Sequence, residues 1–219
     1  GYFIAQKNSW RFGIDPKEVE NLSFWLVLAG FMGARIYYII FAYDYFLTNP
    51  SEIYKIWHGG LSIYGAILGG LFFLFIYFKH RAYSFGQVAD LIALSLPLSQ
   101  SLGRFGNFIN QEAYGSVTTL PWKIYIPADG LYHHPTFLYE ALWNVIVFII
   151  LLSLRSKVKS GVLAASFLAL YSLGRFFIEP LRVDSNFIYN FRVDQVVALI
   201  LVFICGVWIL KLSKKVSNF

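Results

Sequence analysis

Residues 136–154 read TFLYEALWNVIVFIILLSL, an almost wholly apolar run close to the roughly 20 residues a helix needs to cross a bilayer. Four further stretches share its character: 21–43, 59–78, 161–178 and 193–210. A sixth, 85–102, is interrupted by Asp90 and Pro97 and reads either as a kinked span or as a re-entrant segment covered by protein. Composition agrees: of 219 residues, 58% are hydrophobic, 20% aromatic and only 14% charged, where a soluble domain carries roughly 25% charge. These figures exclude a secreted disulfide scaffold, a disordered tail and an ordinary cytosolic enzyme. The single cysteine, Cys205, can close no internal disulfide and build no thiolate metal site. There is no internal repeat and no low-complexity linker. The expected fold is therefore all-α: one polytopic transmembrane domain over 1–219, with about six spanning helices. Gly1 to Asn8 reads as the end of another apolar helix, and the only methionine is Met32, so a processed or fragmentary N-terminus is expected.

The net charge is +6, but the basic residues fall between the apolar runs, so topology explains them better than nucleic acid does. Segments 1–20, 79–84, 155–160 and 211–219 hold 11 Lys and Arg, against 5 in the alternating set 44–58, 103–135 and 179–192. The positive-inside rule places the first set in the cytoplasm and 103–135 outside. The tail from Lys211 to Lys215 reads as a cytoplasmic anchor for anionic lipid.

A charge inside a span costs several kcal/mol, so each needs a reason. Tyr171, Arg175 and Glu179 lie at i, i+4 and i+8 on one helix face, with Pro180 ending the helix and Arg182 just beyond. That face suits an anionic head group, and it equally suits an internal Arg175–Glu179 pair; both readings stand. The run Gly103-Arg104-Phe105-Gly106-Asn107-Phe108-Ile109-Asn110-Gln111-Glu112-Ala113-Tyr114-Gly115 supplies an arginine able to grip phosphate bidentately. It adds Asn107 and Asn110 as donors and acceptors, Glu112 to orient an arginine or take a proton, and glycines that let backbone approach a ligand. The bland alternative is a polar external loop. Gly59, Gly60, Gly65, Gly69 and Gly70 predict close helix packing. Arg35 is a buried counter-charge or a snorkelling residue, Asp90 an arginine partner or an inner-end residue, and Asp194 a helix cap. His133 and His134 are either acid–base groups or solvated loop residues, and with His58 and His80 they show no metal-ligand spacing. No metal, nucleotide or organic cofactor is expected.

Together these residues resemble the prolipoprotein diacylglyceryl transferase family. The run from Gly103 to Gly115 matches its G-R-x-G-N-F-x-N-x-E-x-x-G signature at every specified position. Further matches are Gly33-Ala34-Arg35, Gly59 through Gly65, His134-Pro135-Thr136, Leu138-Tyr139-Glu140, and Tyr171 through Glu179. The resemblance implies seven spanning helices in the complete fold, one of them missing here, and a multi-pass protein of the bacterial plasma membrane with the signature outside and the C-terminus cytoplasmic. It implies transfer of the diacylglyceryl group of phosphatidylglycerol to the lipobox cysteine of preprolipoproteins, giving a thioether and glycerol 1-phosphate. Arg104 and Arg175 become the phosphate clamp. Asn107, Asn110, Glu112, Gly115, Tyr171, Glu179, Arg182 and Arg35 become substrate-binding residues.

The sequence departs from the family at Tyr64, where a histidine is common. Tyrosine, with a pKa near 10, is a poor base at neutral pH but can hold a hydrogen bond. His58, six residues earlier, is about 120° off in helical phase. His134 or Glu112 can serve as base, or the arginine field can lower the thiol pKa from about 8.5 unaided. Two other functions remain open: an anion or lipid transporter lined by Arg35, Arg104 and Arg175, and a catalytically inactive lipid-binding protein.

Overall fold

A computed structural model describes residues 1–80, 83–183, 185, 187–189 and 191–214. Arg81 and Lys215, which entered the charge count and the expected lipid-anchoring tail, lie outside the described residues. The helices are α1 (Tyr2–Asn8), α2 (Pro16–Phe41), α3 (Tyr43–Thr48), α4 (Ile63–His80), α5 (Phe85–Ile109), α6 (Thr136–Leu154), α7 (Val162–Ile178) and α8 (Val193–Lys214). Two short antiparallel hairpins complete the chain: β1 (Ile124–Ile126) with β2 (Leu131–His133), and β3 (Phe187–Ile188) with β4 (Phe191–Arg192). Four helices, α2, α6, α7 and α8, are long and apolar enough to cross a membrane, and α4 is a shorter apolar helix. The protein is an all-α, multi-pass membrane protein. Of the six spans expected, these four qualify by length and composition; α4 is shorter and α5 less apolar. α5 is long enough, but Asp90, Gln100, Arg104 and Asn107 dilute its apolar character.

The chain forms two compact units. One is Gly13–Phe85, apart from residue 2, which groups with it. Its α2 and α4 are packed through glycine: a Cβ on Gly33 would strike the Gly65 carbonyl, and one on Gly65 would strike the Gly33 carbonyl. The small-residue stripe thus brings backbones together, as expected. The helix starts later than the apolar run at 59 does, because Gly59 and Gly60 hold φ of 86° and 77° and sit in a turn before it. Arg35 is buried at the end of α2 and donates to the backbone carbonyls of Ile53 (2.9 Å), Gly59 (2.7 Å), Gly60 (2.9 Å) and Glu52. It is neither a counter-charge nor a snorkelling residue; it gathers the loop 52–60 around one guanidinium.

The other unit comprises Gly1, Phe3–Phe12 and Gly86–Phe219. Its two polar ends can be traced from hydrogen bonds. At one end Asp90, fully buried, accepts from the backbone N–H groups of Gly161 (2.6 Å) and Ala164 (2.8 Å). Asp90 therefore caps the first turn of α7 instead of pairing with an arginine. The cap is needed because Gly161, at the N-cap position with φ 88°, has no side chain to supply. Arg11 donates to Ser156 at 2.9 Å beside this end. α6 and α7 close together where Gly174 faces the indole of Trp143, whose Nε1 donates to the Leu170 carbonyl at 2.8 Å. The opposite end holds the arginines.

Candidate active site

The signature does not form a loop throughout. α5 continues to Ile109, so Gly103 through Ile109 are its last two turns and only 110–115 leave the helix. Gly103 and Gly106 face open space on that helix, and the tight approach belongs to Gly115 alone. A Cβ there would meet the Leu181 carbonyl at 2.7 Å and His134 Cβ at 2.8 Å. Gly115 N–H donates to the His134 carbonyl at 2.9 Å, and Ser116 N–H to the Leu181 carbonyl at 2.7 Å. This small backbone weave ties the end of the signature to the segments after β2 and after α7. Gly115 thus approaches protein backbone.

The weave puts Arg104, Arg175 and Arg182 around one carboxylate. Glu140, on the first turns of α6 and 3% exposed, accepts through Oε1 from Arg175 Nη1 and Arg182 Nη1, both at 2.8 Å. Its Oε2 is ion-paired to Arg104 Nη2. Arg175 Nη2 also donates to Glu179 Oε2 at 2.5 Å and to Asp194 Oδ2 at 3.0 Å. The Arg175–Glu179 pair expected as the bland reading does form, and Asp194 serves Arg175 as well as opening α8. Glu179 is held in turn by Ser185, whose hydroxyl donates at 2.7 Å, and Arg192 donates to the Glu179 carbonyl at 2.9 Å and to Ser185 Oγ at 2.5 Å.

A cavity of about 420 Å³ adjoins this cluster. Arg104, Tyr171, Arg175 and Arg182 line its polar part, and Leu168, Val197 and Leu201 its apolar part. Leu168 and Leu201 lie seven residues from Arg175 and Asp194 along α7 and α8, about 10 Å deeper in the helical layer. The cavity therefore grades from guanidinium to hydrocarbon, the polarity of a phospholipid. Three cations against three carboxylates leave this core near neutral, and Arg192 adds a fourth positive charge at its edge.

The remaining signature residues extend from Arg104. Its Nη1 donates to Asn107 Oδ1 at 3.3 Å; Asn107 Nδ2 donates to Glu112 Oε1 at 3.0 Å, and Asn110 Nδ2 to the same oxygen at 3.3 Å. His134 Nδ1 lies 3.2 Å from the Tyr139 hydroxyl. His133 is not solvated: it is buried, with Nδ1 2.6 Å from the Gly115 carbonyl and Nε2 2.8 Å from Asp129 Oδ2. Asp129 also accepts from Leu131 N–H at 3.0 Å, and this bond, with a smaller contribution from His133, holds its carboxyl below the usual range. Arg35 and Tyr64 belong to the other unit, where Arg35 binds carbonyls and Tyr64 is an exposed ring at the start of α4. His58 lies outside α4 altogether, its Nδ1 2.6 Å from Glu52 Oε2, so helical phase does not govern it. Sequence reasoning missed Glu140 as the hub, and Arg192 and Ser185 as its outer supports. The signal for Glu140 was available: it is the one charged residue in 136–154.

Fold and site define a class: a multi-pass helical membrane protein whose arginines face a cavity with an apolar depth. Residues 1–211 match the sequence profile of the prolipoprotein diacylglyceryl transferase family. The phosphatidylglycerol–prolipoprotein diacylglyceryl transferase of Fervidobacterium nodosum is 47% identical over 218 residues, covering 94% of this chain and 75% of the relative. The proteins of the same name from Thermosynechococcus vestitus and Synechococcus elongatus are 43% and 39% identical, covering 95% and 100% of this chain and 81% and 82% of the relatives. The chain belongs to this family of membrane transferases.

Proposed function

We propose that this chain moves the diacylglyceryl group of phosphatidylglycerol onto the lipobox cysteine of preprolipoproteins, working as one domain in the bacterial plasma membrane. The signature then faces outward, the C-terminus faces the cytoplasm, and both substrates arrive laterally through the bilayer. Sulfur bonds to the glycerol carbon while the bond from that carbon to the phosphate oxygen breaks. The electron pair leaves with the oxygen, releasing glycerol 1-phosphate. The observation that carries this reading is the meeting of Arg104, Arg175 and Arg182 at Glu140, beside a cavity that turns apolar with depth.

In this reading Arg104 and Arg175 are the catalytic clamp that stabilises negative charge growing on the departing phosphate. Arg182, Tyr171 and Glu179 shape the head-group end, and Asn107, Asn110 and Gly115 hold the signature in place. Glu112 takes the thiol proton: it is exposed and is linked through Asn107 to Arg104. His134 is the competing base. A pH–rate profile of His134→Gln that matches the parent excludes that histidine, and loss of the acidic limb in Glu112→Gln supports the carboxylate. For Tyr64 a hydrogen-bonding role predicts reduced but measurable turnover in Tyr64→Phe.

The deciding experiment uses purified protein, phosphatidylglycerol and a lipobox peptide. A mass gain of one diacylglyceryl unit on the peptide cysteine is the expected result. Lipid binding without that gain would favour an inactive lipid-binding protein, and anion flux in proteoliposomes without lipid turnover would favour a transporter.

A further inference from the structure

A second cavity, of about 300 Å³, is lined by the Asn107 and Glu112 end of the Arg104–Asn107–Glu112 chain, whereas Arg104 lines the arginine cavity. Three consecutive residues, Ile124, Tyr125 and Ile126, also line this second cavity. Successive side chains of a strand point to opposite faces, so a cavity touching all three runs along the strand's edge and not beneath one face. Among the described residues β1 has a strand partner, β2, on one edge only. The Tyr132 carbonyl accepts from Thr118 N–H at 2.9 Å, so the backbone polar groups of Tyr132 face away from β1. Tyr125, opposite Tyr132, is therefore in a non-hydrogen-bonded pair and turns its own N–H and C=O outward at the unpaired edge. No group among the described residues pairs with them.

From this geometry we propose that the outer edge of β1 docks the acceptor polypeptide in extended form, as an added strand. The Tyr125 N–H and C=O make two backbone hydrogen bonds to it, and an apolar side chain enters the pocket beside Phe108 and Phe137. The inference rests on the diacylglyceryl transfer reading and names where its protein substrate sits. The unpaired backbone edge commits the site to a peptide, and volume argues against the lipid: about 300 Å³ is at the small end of ligand pockets and too small for two acyl chains. Position agrees, because Asn107 and Glu112 line the same pocket and stand one and two hydrogen bonds from Arg104.

The test is steady-state kinetics of the full chain in detergent with phosphatidylglycerol and a synthetic cysteine-bearing acceptor peptide. Tyr125→Pro removes the outward N–H without touching the β1–β2 ladder, a substitution edge strands tolerate. We expect its peptide KM to rise about five- to tenfold over that of Tyr125→Ala, the size of a lost backbone hydrogen bond, with the lipid KM unchanged. Independently of any variant's folding, N-methylation of the peptide at single positions should raise KM at the one residue whose N–H meets the Tyr125 carbonyl and spare its neighbours. A peptide KM in Tyr125→Pro equal to that of Tyr125→Ala, or an N-methyl scan in which no single position stands out, overturns the docking site while leaving the transferase reading intact. No mass gain on the peptide with the parent protein overturns both.

Discussion

Glu140 is asked to neutralise three guanidinium groups from three segments, and its burial decides what each is worth. A buried ion pair gains little over an apolar substitute, but removing one partner strands the others and costs about 3–5 kcal/mol. Glu140→Gln should therefore lower thermal stability in detergent by an amount in that range. Asp194→Asn, whose side chain is 49% exposed, should cost less than about 1 kcal/mol. Thermal unfolding of both variants checks the contrast; equal losses would show that burial does not set the scale. Arg175→Lys keeps the charge but loses the fork that spans Glu140, Glu179 and Asp194. Its transfer rate should fall by two orders of magnitude or more with folding retained, whereas near-parental turnover would argue against bidentate phosphate recognition. At this scale the sequence revealed charge but not pairing. Arg175 and Glu179 share a helix face and were readable as a pair, but Arg175–Glu140 and Arg182–Glu140 join positions 35 and 42 residues apart, which no local period encodes.

Helices were legible because hydrocarbon demands long apolar runs; their ends were less so. α5 outruns its apolar portion by seven residues because its polar final turns are held by protein: Arg104 by Glu140, and Asn107 by Glu112. The start of α7 was legible to within one residue, but its cap was not, since Asp90 supplies it from 71 residues upstream of Gly161. Asp90→Ala should cost about 0.5–2 kcal/mol and speed hydrogen exchange at Gly161 and Ala164 while leaving β1 and β2 unchanged. The β1–β2 hairpin has its own sensitivity. Asp129 has its pKa lowered by folding, so its contribution is complete above the unfolded value of about 3.9 and disappears as pH falls through the folded value. Exchange protection at Leu131 should therefore hold at neutral pH and fall on acidification below that range, and Asp129→Asn should flatten the dependence.

For the molecule in its bilayer the question is sidedness. Within the larger unit, Arg11, Asp90, Ser156 and Gly161 gather at one polar end. Arg104, Glu140, Arg175, Arg182 and Asp194 gather at the other. α5 joins the two: the 14 residues from Asp90 to Arg104 rise about 21 Å, enough to carry the chain from the capped end of α7 to its arginine end. On the Lys and Arg count, 11 against 5, we propose that the first end is the cytoplasmic one. The protein's single cysteine makes the assignment measurable, because Cys205 is buried in α8 and gives little background. In intact cells a membrane-impermeant maleimide should label Thr119→Cys, which is exposed in the segment after the signature. The same reagent should reach Lys157→Cys, exposed between α6 and α7, only after permeabilisation. The reversed pattern would put the arginines on the cytoplasmic face, and a thiol acceptor would then have to be lipidated before its carrier crossed the membrane.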